Sequence, residues 1–287
     1  MIIVTGATGR LGSLIVERLL DRVPAERVGV SVRDTARAAG LAERGVRVRR
    51  GDFADPGSLA GAFEGAARVL VVSADEVGAA AVTRHTAAID AARAAGAERV
   101  LYTSHQAASA DSLFAPMVDH AATEAHLAGT GTPYTALRNG FYASTIPMLL
   151  GRALETGELV APEDGPVSWT AHADLAEAAA AVLAGEHGFE GPTPPLTGPD
   201  VVDLEGVAAV LTEVTGRTVK RVVAGDEEWA AGLVEHGVPA EQASMLVGMF
   251  RASRRGEFAV TGPALEEVLG RPATTVRAVL EEALAAR

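Results

Sequence analysis

The sequence predicts an α/β protein built on a doubly wound parallel sheet, with a smaller C-terminal α/β lobe. Three observations support this prediction. Short apolar runs rich in β-branched residues alternate with helical stretches up to about residue 140, a glycine-rich loop follows the first run, and prolines become frequent beyond residue 140. We therefore assign residues 1–140 to the core and residues 141–287 mainly to the lobe, with some of this chain returning to the core.

The elements follow one another in a regular order. The core strands are expected at residues 2–5, 28–32, 46–49, 69–73, 100–104 and 134–137. Helical spacing of apolar residues predicts the intervening helices at residues 11–20, 59–63, 79–95 and 118–128. Continuously apolar strands such as residues 69–72 are typical of a sheet that helices cover on both faces. The lobe is expected to contain helices at residues 204–214, 227–236, 265–269 and 275–285.

Composition excludes several classes of protein. The 287 residues are 48% hydrophobic and 22% charged, which is typical of a globular chain and not of a disordered one. The formal net charge of −12 makes a nucleic-acid partner unfavourable. There is no cysteine, and the seven histidines lack metal-binding spacing, so we expect no metal site.

We expect neither a targeting signal nor a membrane-spanning segment. The apolar run at the N-terminus is too short for a signal peptide, and no stretch reaches the ~20 apolar residues of a membrane span. We therefore expect a cytoplasmic protein without a membrane partner.

The glycine-rich loop is the first candidate binding site. Residues 6–12 read Gly-Ala-Thr-Gly-Arg-Leu-Gly, between the first strand and the first helix. Glycines allow a tight turn and a close approach of the backbone to a pyrophosphate, and the start of the helix attracts the anion. The alternative is a tight turn without a ligand. We predict a dinucleotide site that includes Gly6, Thr8, Gly9, Arg10, Leu11 and Gly12.

The residue at the end of the second strand distinguishes the two nicotinamide cofactors. An acidic residue there binds the ribose hydroxyl of NAD, whereas an arginine accepts the 2′-phosphate of NADP. This chain has Arg33, and Arg10 in the loop can reach the same phosphate. NADP(H) is therefore preferred, while the neighbouring Asp34 leaves NAD(H) possible. Alternatively, Arg33 is a solvated charge at a strand end.

Polar residues at the ends of later strands extend the predicted site. Ligands of doubly wound sheets bind outside the carboxyl ends of the strands. Asp52 can accept a hydrogen bond from the adenine amino group, or it can cap the next helix. The predicted cofactor contacts at these strand ends are Asp52, Phe53, Ser73, Tyr102 and Thr103.

Taken together, these motifs resemble the NmrA-like branch of the atypical short-chain dehydrogenase/reductases, a branch that includes type 2 quinone oxidoreductases and triphenylmethane reductases. The segments that carry the resemblance are residues 4–12, 32–34, 51–53, 101–104, 134–142 and 196–199. The resemblance implies a Rossmann domain with substrate held in the cleft beside the lobe. It also adds Asn139, Gly140 and Phe141 to the cofactor-binding residues and places Tyr142 near the nicotinamide.

One departure from the wider superfamily limits the chemistry. Classical members carry a Tyr-x-x-x-Lys pair on the helix after the fifth strand, but the only lysine here is Lys220, and the tyrosines are Tyr102, Tyr134 and Tyr142. Without this acid, a nicotinamide enzyme can still deliver hydride to acceptors whose reduced product is a stabilised anion or a neutral molecule. Quinones and cationic triarylmethane dyes are such acceptors, and water would supply the proton.

Ser104, His120 and Tyr142 are the catalytic candidates. Ser104 matches the place of the classical catalytic serine and is expected to orient the nicotinamide amide or a substrate oxygen. His120 and His105 are placed to donate a proton to a quinone oxygen, unless they are ordinary surface or loop residues. His85 is interpreted as a helix residue with satisfied hydrogen bonds.

An apolar wall for a flat substrate is expected from a few large side chains. The candidates are Phe114, Met117, Phe141, Tyr142 and Trp169, each of which core packing also explains. Asp174 is interpreted as the N-cap of the helix that follows it.

We therefore expect an NADPH-dependent reductase that acts on a small aromatic or quinone-like substrate as a monomer or homodimer. Two alternatives fit the same sequence. One is a non-catalytic redox sensor of the NmrA type, and the other is a biosynthetic reductase of enone or polycyclic substrates.

Overall fold

The computed structural model describes residues 1–285. Its strands are β1 (Ile2–Thr5), β2 (Val28–Val32), β3 (Arg47–Arg50), β4 (Arg68–Val71), β5 (Arg99–His105), β6 (Tyr134–Asn139), β7 (Phe141–Tyr142), β8 (Glu158–Pro162), β9 (Trp169–Thr170), β10 (Gly191–Pro192) and β11 (Lys220–Ala224). Its helices are α1 (Arg10–Leu20), α2 (Ala39–Glu43), α3 (Gly57–Phe63), α4 (Ala79–Ala94), α5 (Ala115–Gly129), α6 (Ile146–Leu149), α7 (Ala153–Thr156), α8 (His172–Ala184), α9 (Leu204–Thr215), α10 (Asp226–Glu235), α11 (Ala240–Arg254), α12 (Ala264–Leu269) and α13 (Val276–Ala285).

A parallel sheet of seven strands forms the centre of the molecule. The strand order is β10-β6-β5-β4-β1-β2-β3, and every neighbouring pair is parallel. The order reverses between β1 and β4, and a doubly wound sheet opens a ligand crevice at such a point. The predicted fold class is therefore confirmed.

Alternation of side chains along the strands produces two buried faces. Val4 and Leu70 belong to one hydrophobic cluster with α1 and α8, whereas Ile3 and Val69 belong to another with α3, α4 and α5. Helix α1 buries Leu11, Ile15 and Leu19, which recur every four residues along its inner stripe. Both faces of the sheet are thus covered, as the apolar strands predicted.

A third hydrophobic cluster lies beside the carboxyl edge of the sheet. It contains Phe250 and Phe258 together with residues of α9 and α13, and it includes Leu159 of β8. Strands β8 and β11 pair in parallel as a separate two-stranded sheet. The chain returns from this region to the central sheet through α8 and β10. The boundary at residue 140 stays a prediction.

The predicted elements are present, with ends shifted by three residues or fewer. Helix α11 was not predicted, and Gly248 within it lies where a Cβ would come 2.7 Å from the Leu113 carbonyl oxygen. The interpretation of Asp174 as an N-cap was wrong. The N-cap of α8 is Ala171, whereas the buried Asp174 carboxylate accepts hydrogen bonds from the Thr274 amide and the Arg271 guanidinium. Asp174 therefore joins α8 to the C-terminal segment.

Within residues 1–285, no helix combines the length and apolarity needed to cross a bilayer. The same part of the chain contains no cluster of three metal-ligating side chains.

Candidate active site

A cavity of about 760 Å³ opens at the carboxyl edge of the sheet. Its volume is within the range of about 300–1,000 Å³ that small-molecule sites occupy. The cavity brings together most of the predicted site residues, namely Gly6, Thr8, Gly9, Arg10, Leu11, Gly12, Arg33, Asp52, Phe53, Ser73, Ser104, His120, Phe141 and Tyr142.

The glycine loop forms one wall of the cavity. Gly6 has φ +62°, and the Gly9 amide donates a hydrogen bond to the Gly6 carbonyl oxygen over 2.9 Å. A Cβ on Gly12 would lie 2.2 Å from that same oxygen, so only glycine fits there. No side chain caps the N-terminus of α1. Its first amide groups therefore remain free to bind an anion in the cavity.

The end of the cavity beside β2 is basic and polar. Arg33 lines it together with Arg37, which was not among the predicted residues. The Ser31 hydroxyl is buried there without a hydrogen-bond partner among residues 1–285. An unpaired buried hydroxyl is unfavourable unless a ligand satisfies it. This end therefore fits a phosphorylated ribose, with cationic and hydroxyl groups already in place.

Asp52 serves the local turn and also lines the cavity. One carboxylate oxygen accepts a hydrogen bond from the Ala54 amide over 2.9 Å, while α3 begins later, with Pro56 as its N-cap. The alternative that Asp52 caps the next helix is thus wrong, and its predicted contact with adenine stays a prediction.

Four predicted cofactor-binding residues lie behind the cavity wall, contrary to the expectation that they line the site, and their contact with the cofactor stays a prediction. Tyr102 and Thr103 are buried within β5, and the Thr103 hydroxyl accepts a hydrogen bond from the Ser73 amide. Asn139 is buried at the end of β6. A Cβ on Gly140 would lie 2.1 Å from the Thr170 hydroxyl, so a glycine at this position allows the start of β7 to pack closely against β9. These residues support the wall and do not line it.

Ser104 is held by a buried ion pair. Its hydroxyl donates to the Glu124 carboxylate over 2.6 Å, and the Arg138 guanidinium donates to the same carboxylate over 3.0 and 2.6 Å. Because the carboxylate can only accept, the hydrogen of the hydroxyl is committed to Glu124. The Ser104 oxygen can therefore only accept a hydrogen bond from a ligand.

His120 and His105 stand side by side on the cavity wall, with ring centroids 6.3 Å apart. Burial lowers the pKa of His120 to about 3 and places that of His105 well below its usual value. Both rings are therefore neutral near pH 7. The His105 Nδ1 accepts a hydrogen bond from the Ala107 amide over 3.1 Å.

An apolar wall completes the other end of the cavity. Phe114, Met117, Phe141 and Tyr142 line it, as expected from the sequence. Trp169 does not line it but packs edge-on against Phe141, with ring centroids 5.4 Å apart. The Tyr142 ring lies 4.3 Å from the ring of His172, and burial raises the pKa of Tyr142. This wall suits a flat aromatic molecule.

Several lining residues were not predicted. They are Ser31, Val32, Arg37, Gly51, Val72, Ala74, Asp75, Glu76, Arg84, Pro116, Ser144, Thr145 and His172. Arg37 follows Arg33 by four residues in the segment after β2, and Asp75 follows a strand whose end was already in the site, so these two carried a usable signal. His172 comes from a distant part of the chain and carried none.

Comparisons with known proteins agree with this geometry. Residues 1–282 match the NmrA-like family. Quinone oxidoreductase 2 of Escherichia coli strain K12 is 36% identical over 277 residues, which cover 96% of this chain and 96% of that protein.

Two solved structures are also similar. The NADPH complex of the Escherichia coli NADPH-dependent quinone oxidoreductase superimposes with a TM-score of 0.92 at 35% identity, covering 99% of this chain and 100% of the other. The NADP(H) complex of Citrobacter sp. triphenylmethane reductase gives 0.90 at 34% identity, with the same coverage. The resemblance inferred from the motifs is thus confirmed, and this chain belongs to the NmrA-like family.

Proposed function

We propose that this protein is an NADPH-dependent oxidoreductase that transfers hydride to a flat, electron-poor acceptor of the quinone type. The observation that carries the proposal is the continuous cavity, which joins the uncapped start of α1 and Arg33 at one end to an aromatic wall at the other. The similar proteins named above are oxidoreductases, and two of them were crystallised with NADPH or NADP(H).

The residues at the end of the cavity that contains the start of α1 and Arg33 would hold the cofactor. Amide groups at the start of α1 would bind the pyrophosphate, and Arg33 would pair with the 2′-phosphate. Arg37 adds positive charge at the same end, and the unpaired Ser31 hydroxyl can bind a ribose or phosphate oxygen. Arg10 also lines the cavity, where burial and the Arg10 charge together lower the pKa of His172, and its predicted contact with the phosphate stays a prediction. We expect NAD(H) to bind more weakly, because it lacks the phosphate that the arginines would neutralise.

The residues of the second end would position the reactants. Bound NADPH supplies the hydride from its nicotinamide ring. Ser104 would accept a hydrogen bond from the nicotinamide amide group, since its own hydrogen is committed to Glu124. Phe114 and Phe141 would stack on the acceptor, and Tyr142 would border it.

The protonation step has no Tyr-x-x-x-Lys pair to rely on, because α5 contains neither tyrosine nor lysine. Acceptors that give a stabilised reduced product do not require such an acid. Quinones meet this condition, so the residues of the cavity and the proposed reaction are compatible.

NADPH consumption by the purified protein tests this proposal. It would be followed by absorbance with a panel of quinones, triarylmethane dyes and enones, beside binding titrations of NADPH and NADH. We expect oxidation that depends on a quinone and is strongly reduced in a Phe141→Ala variant. Tight cofactor binding without turnover of any acceptor would contradict the proposal and favour a redox sensor. Turnover of enones alone would favour the biosynthetic reductase.

A further inference from the structure

A chain of hydrogen bonds runs behind the cavity wall and ends at His120. The His120 Nδ1 lies 2.7 Å from the Tyr102 hydroxyl, which lies 3.3 Å from the Nδ1 of His85. The Nε2 of His85 lies 2.9 Å from the backbone amide nitrogen of Ala74. The chain therefore connects the loop after β4, helix α4, strand β5 and helix α5.

The direction of every hydrogen bond in this chain follows from the end at Ala74. The Ala74 amide can only donate, so the Nε2 of His85 accepts and carries no hydrogen. Burial lowers the pKa of His85 to about 4, so the ring is neutral near pH 7 and carries its hydrogen on Nδ1. That Nδ1–H has two acceptors, the Tyr102 hydroxyl oxygen and the Thr123 hydroxyl oxygen 3.1 Å away.

The other hydroxyls agree with this direction. The Thr123 hydroxyl donates to the Asp119 carbonyl oxygen over 2.8 Å, which leaves its oxygen free to accept from His85. Tyr102 cannot donate to the protonated Nδ1 of His85, so its hydrogen goes to the Nδ1 of His120. Burial raises the pKa of Tyr102 well above its usual value, which keeps that hydrogen in place.

From this chain we infer that Tyr102 and His85 are positioning residues, which fix His120 as the tautomer that presents Nε2–H to the acceptor in the cavity. His120 is half-buried and lines the cavity, and its hydrogen bond to Tyr102 uses Nδ1, which leaves Nε2 for a ligand. This inference rests on the proposed function for the identity of the acceptor, but not for the tautomer.

The same chain shows what His120 does not do. If His120 gave its Nε2 proton to a reduced oxygen, the Tyr102 proton would move to His120 and the His85 proton to Tyr102. His85 would then need a new proton from another group. The groups that contact His85 beyond Tyr102 are the Ala74 amide and the Thr123 hydroxyl, and neither gives up a proton near pH 7. His120 therefore stabilises the developing negative charge on the acceptor oxygen through a hydrogen bond, and water supplies the proton.

NMR spectroscopy of the whole protein, with ¹⁵N-labelled histidine and bound NADP⁺, tests the tautomer. A His120→Gln sample assigns the signal by its disappearance. We expect a neutral His120 protonated on Nε2 near pH 7. In a Tyr102→Phe variant, part of the His120 population should carry its hydrogen on Nδ1 instead. Tyr134→Phe should cause no such change, since within the described residues Tyr134 forms hydrogen bonds through its backbone and not through its hydroxyl. Protonation of wild-type His120 on Nδ1, or on both nitrogens, would overturn the inference.

Kinetics test the role of the Nε2–H group. His120→Gln keeps an N–H hydrogen-bond donor but cannot give up a proton. His120→Leu removes the donor. We expect kcat to fall by about 10²–10³ in His120→Leu and by less than about tenfold in His120→Gln, because removal of one such donor has an effect of that order. Equal losses in the two variants would show that His120 must give up a proton, contrary to the inference. Tyr102→Phe should lower kcat by about fivefold with little change in the KM for NADPH, and Tyr134→Phe should not.

The two readouts separate this inference from the proposed function. An Nε2-protonated His120 in a protein that reduces no acceptor would contradict the proposed function alone. A different tautomer in an active enzyme would contradict this inference alone.

Discussion

Replacing Arg138 with leucine should destabilise the protein more than the loss of any exposed ion pair. Glu124 is 7% exposed, and Arg138 supplies two of the hydrogen bonds to its carboxylate. Removing one partner of a buried pair costs about 3–5 kcal/mol, because the other charge stays buried without compensation. The Arg138 side chain is 31% exposed and Ser104 still donates to the carboxylate, so we expect the lower limit, about 3 kcal/mol.

Urea unfolding followed by circular dichroism measures this cost. The matched control is Arg152→Leu, which breaks a pair whose side chains are 79% and 70% exposed and should change the free energy of unfolding by less than about 1 kcal/mol. The double variant Glu124→Leu/Arg138→Leu removes both charges and should be less destabilised than Arg138→Leu alone. If Arg138→Leu cost no more than the control, the buried carboxylate would not depend on Arg138, and the reasoning would be refuted.

Three further predictions follow from the site. Gly12→Ala should abolish NADPH binding or folding, as measured by titration and thermal melting, whereas Gly40→Ala, with open space around its Cβ, should melt no earlier than the wild type. Arg33→Ala should raise the Kd for NADPH by about 10- to 100-fold and leave that for NADH nearly unchanged, because only the charge-assisted bond to the phosphate is lost; equal weakening of both would contradict this role. Burial lowers the pKa of His85 to about 4 and of His120 to about 3, so below about pH 6.5 the unfolded chain takes up protons that the folded protein does not. The free energy of unfolding should therefore fall with decreasing pH by up to about 1.4 kcal/mol per unit for each ring, less steeply in His120→Gln, and a wild-type stability independent of pH would disprove the assignment.

Local sequence was sufficient wherever a short segment builds its own part of the site. The glycine loop and Arg33 each lie at the end of a strand that apolar spacing located correctly, and a strand end in a parallel sheet reaches the crevice without further information. Phe141 and Tyr142 follow β6 in the same way.

Side-chain direction within a strand explains why Tyr102 does not line the cavity. Tyr102 was expected in the site because it stands near a strand end, but β5 continues to His105. Tyr102 and Ser104 point to the same face of the sheet, and only Ser104 lies close enough to the end to reach the cavity. Tyr102 instead packs with α4 and α5, where it meets His85 and His120.

Contacts between distant segments could not be predicted from spacing. The ion pair of Glu124 with Arg138 joins a helix to a strand, and the ion pair of Asp174 with Arg271 joins residues 97 positions apart. Such pairs depend on how the elements pack, and a single sequence does not encode that in a local pattern.

The most direct test of the proposed hydride transfer is a single-turnover experiment with NADPH deuterated at C4 of the nicotinamide. Protein loaded with labelled or unlabelled NADPH would be mixed with an excess of a quinone, and loss of NADPH absorbance would be followed by stopped flow. We predict rapid oxidation that is slower with the deuterated cofactor, because the C4–H bond breaks in the observed step. NADPH that binds in the cavity but is not oxidised by any quinone would contradict the central claim.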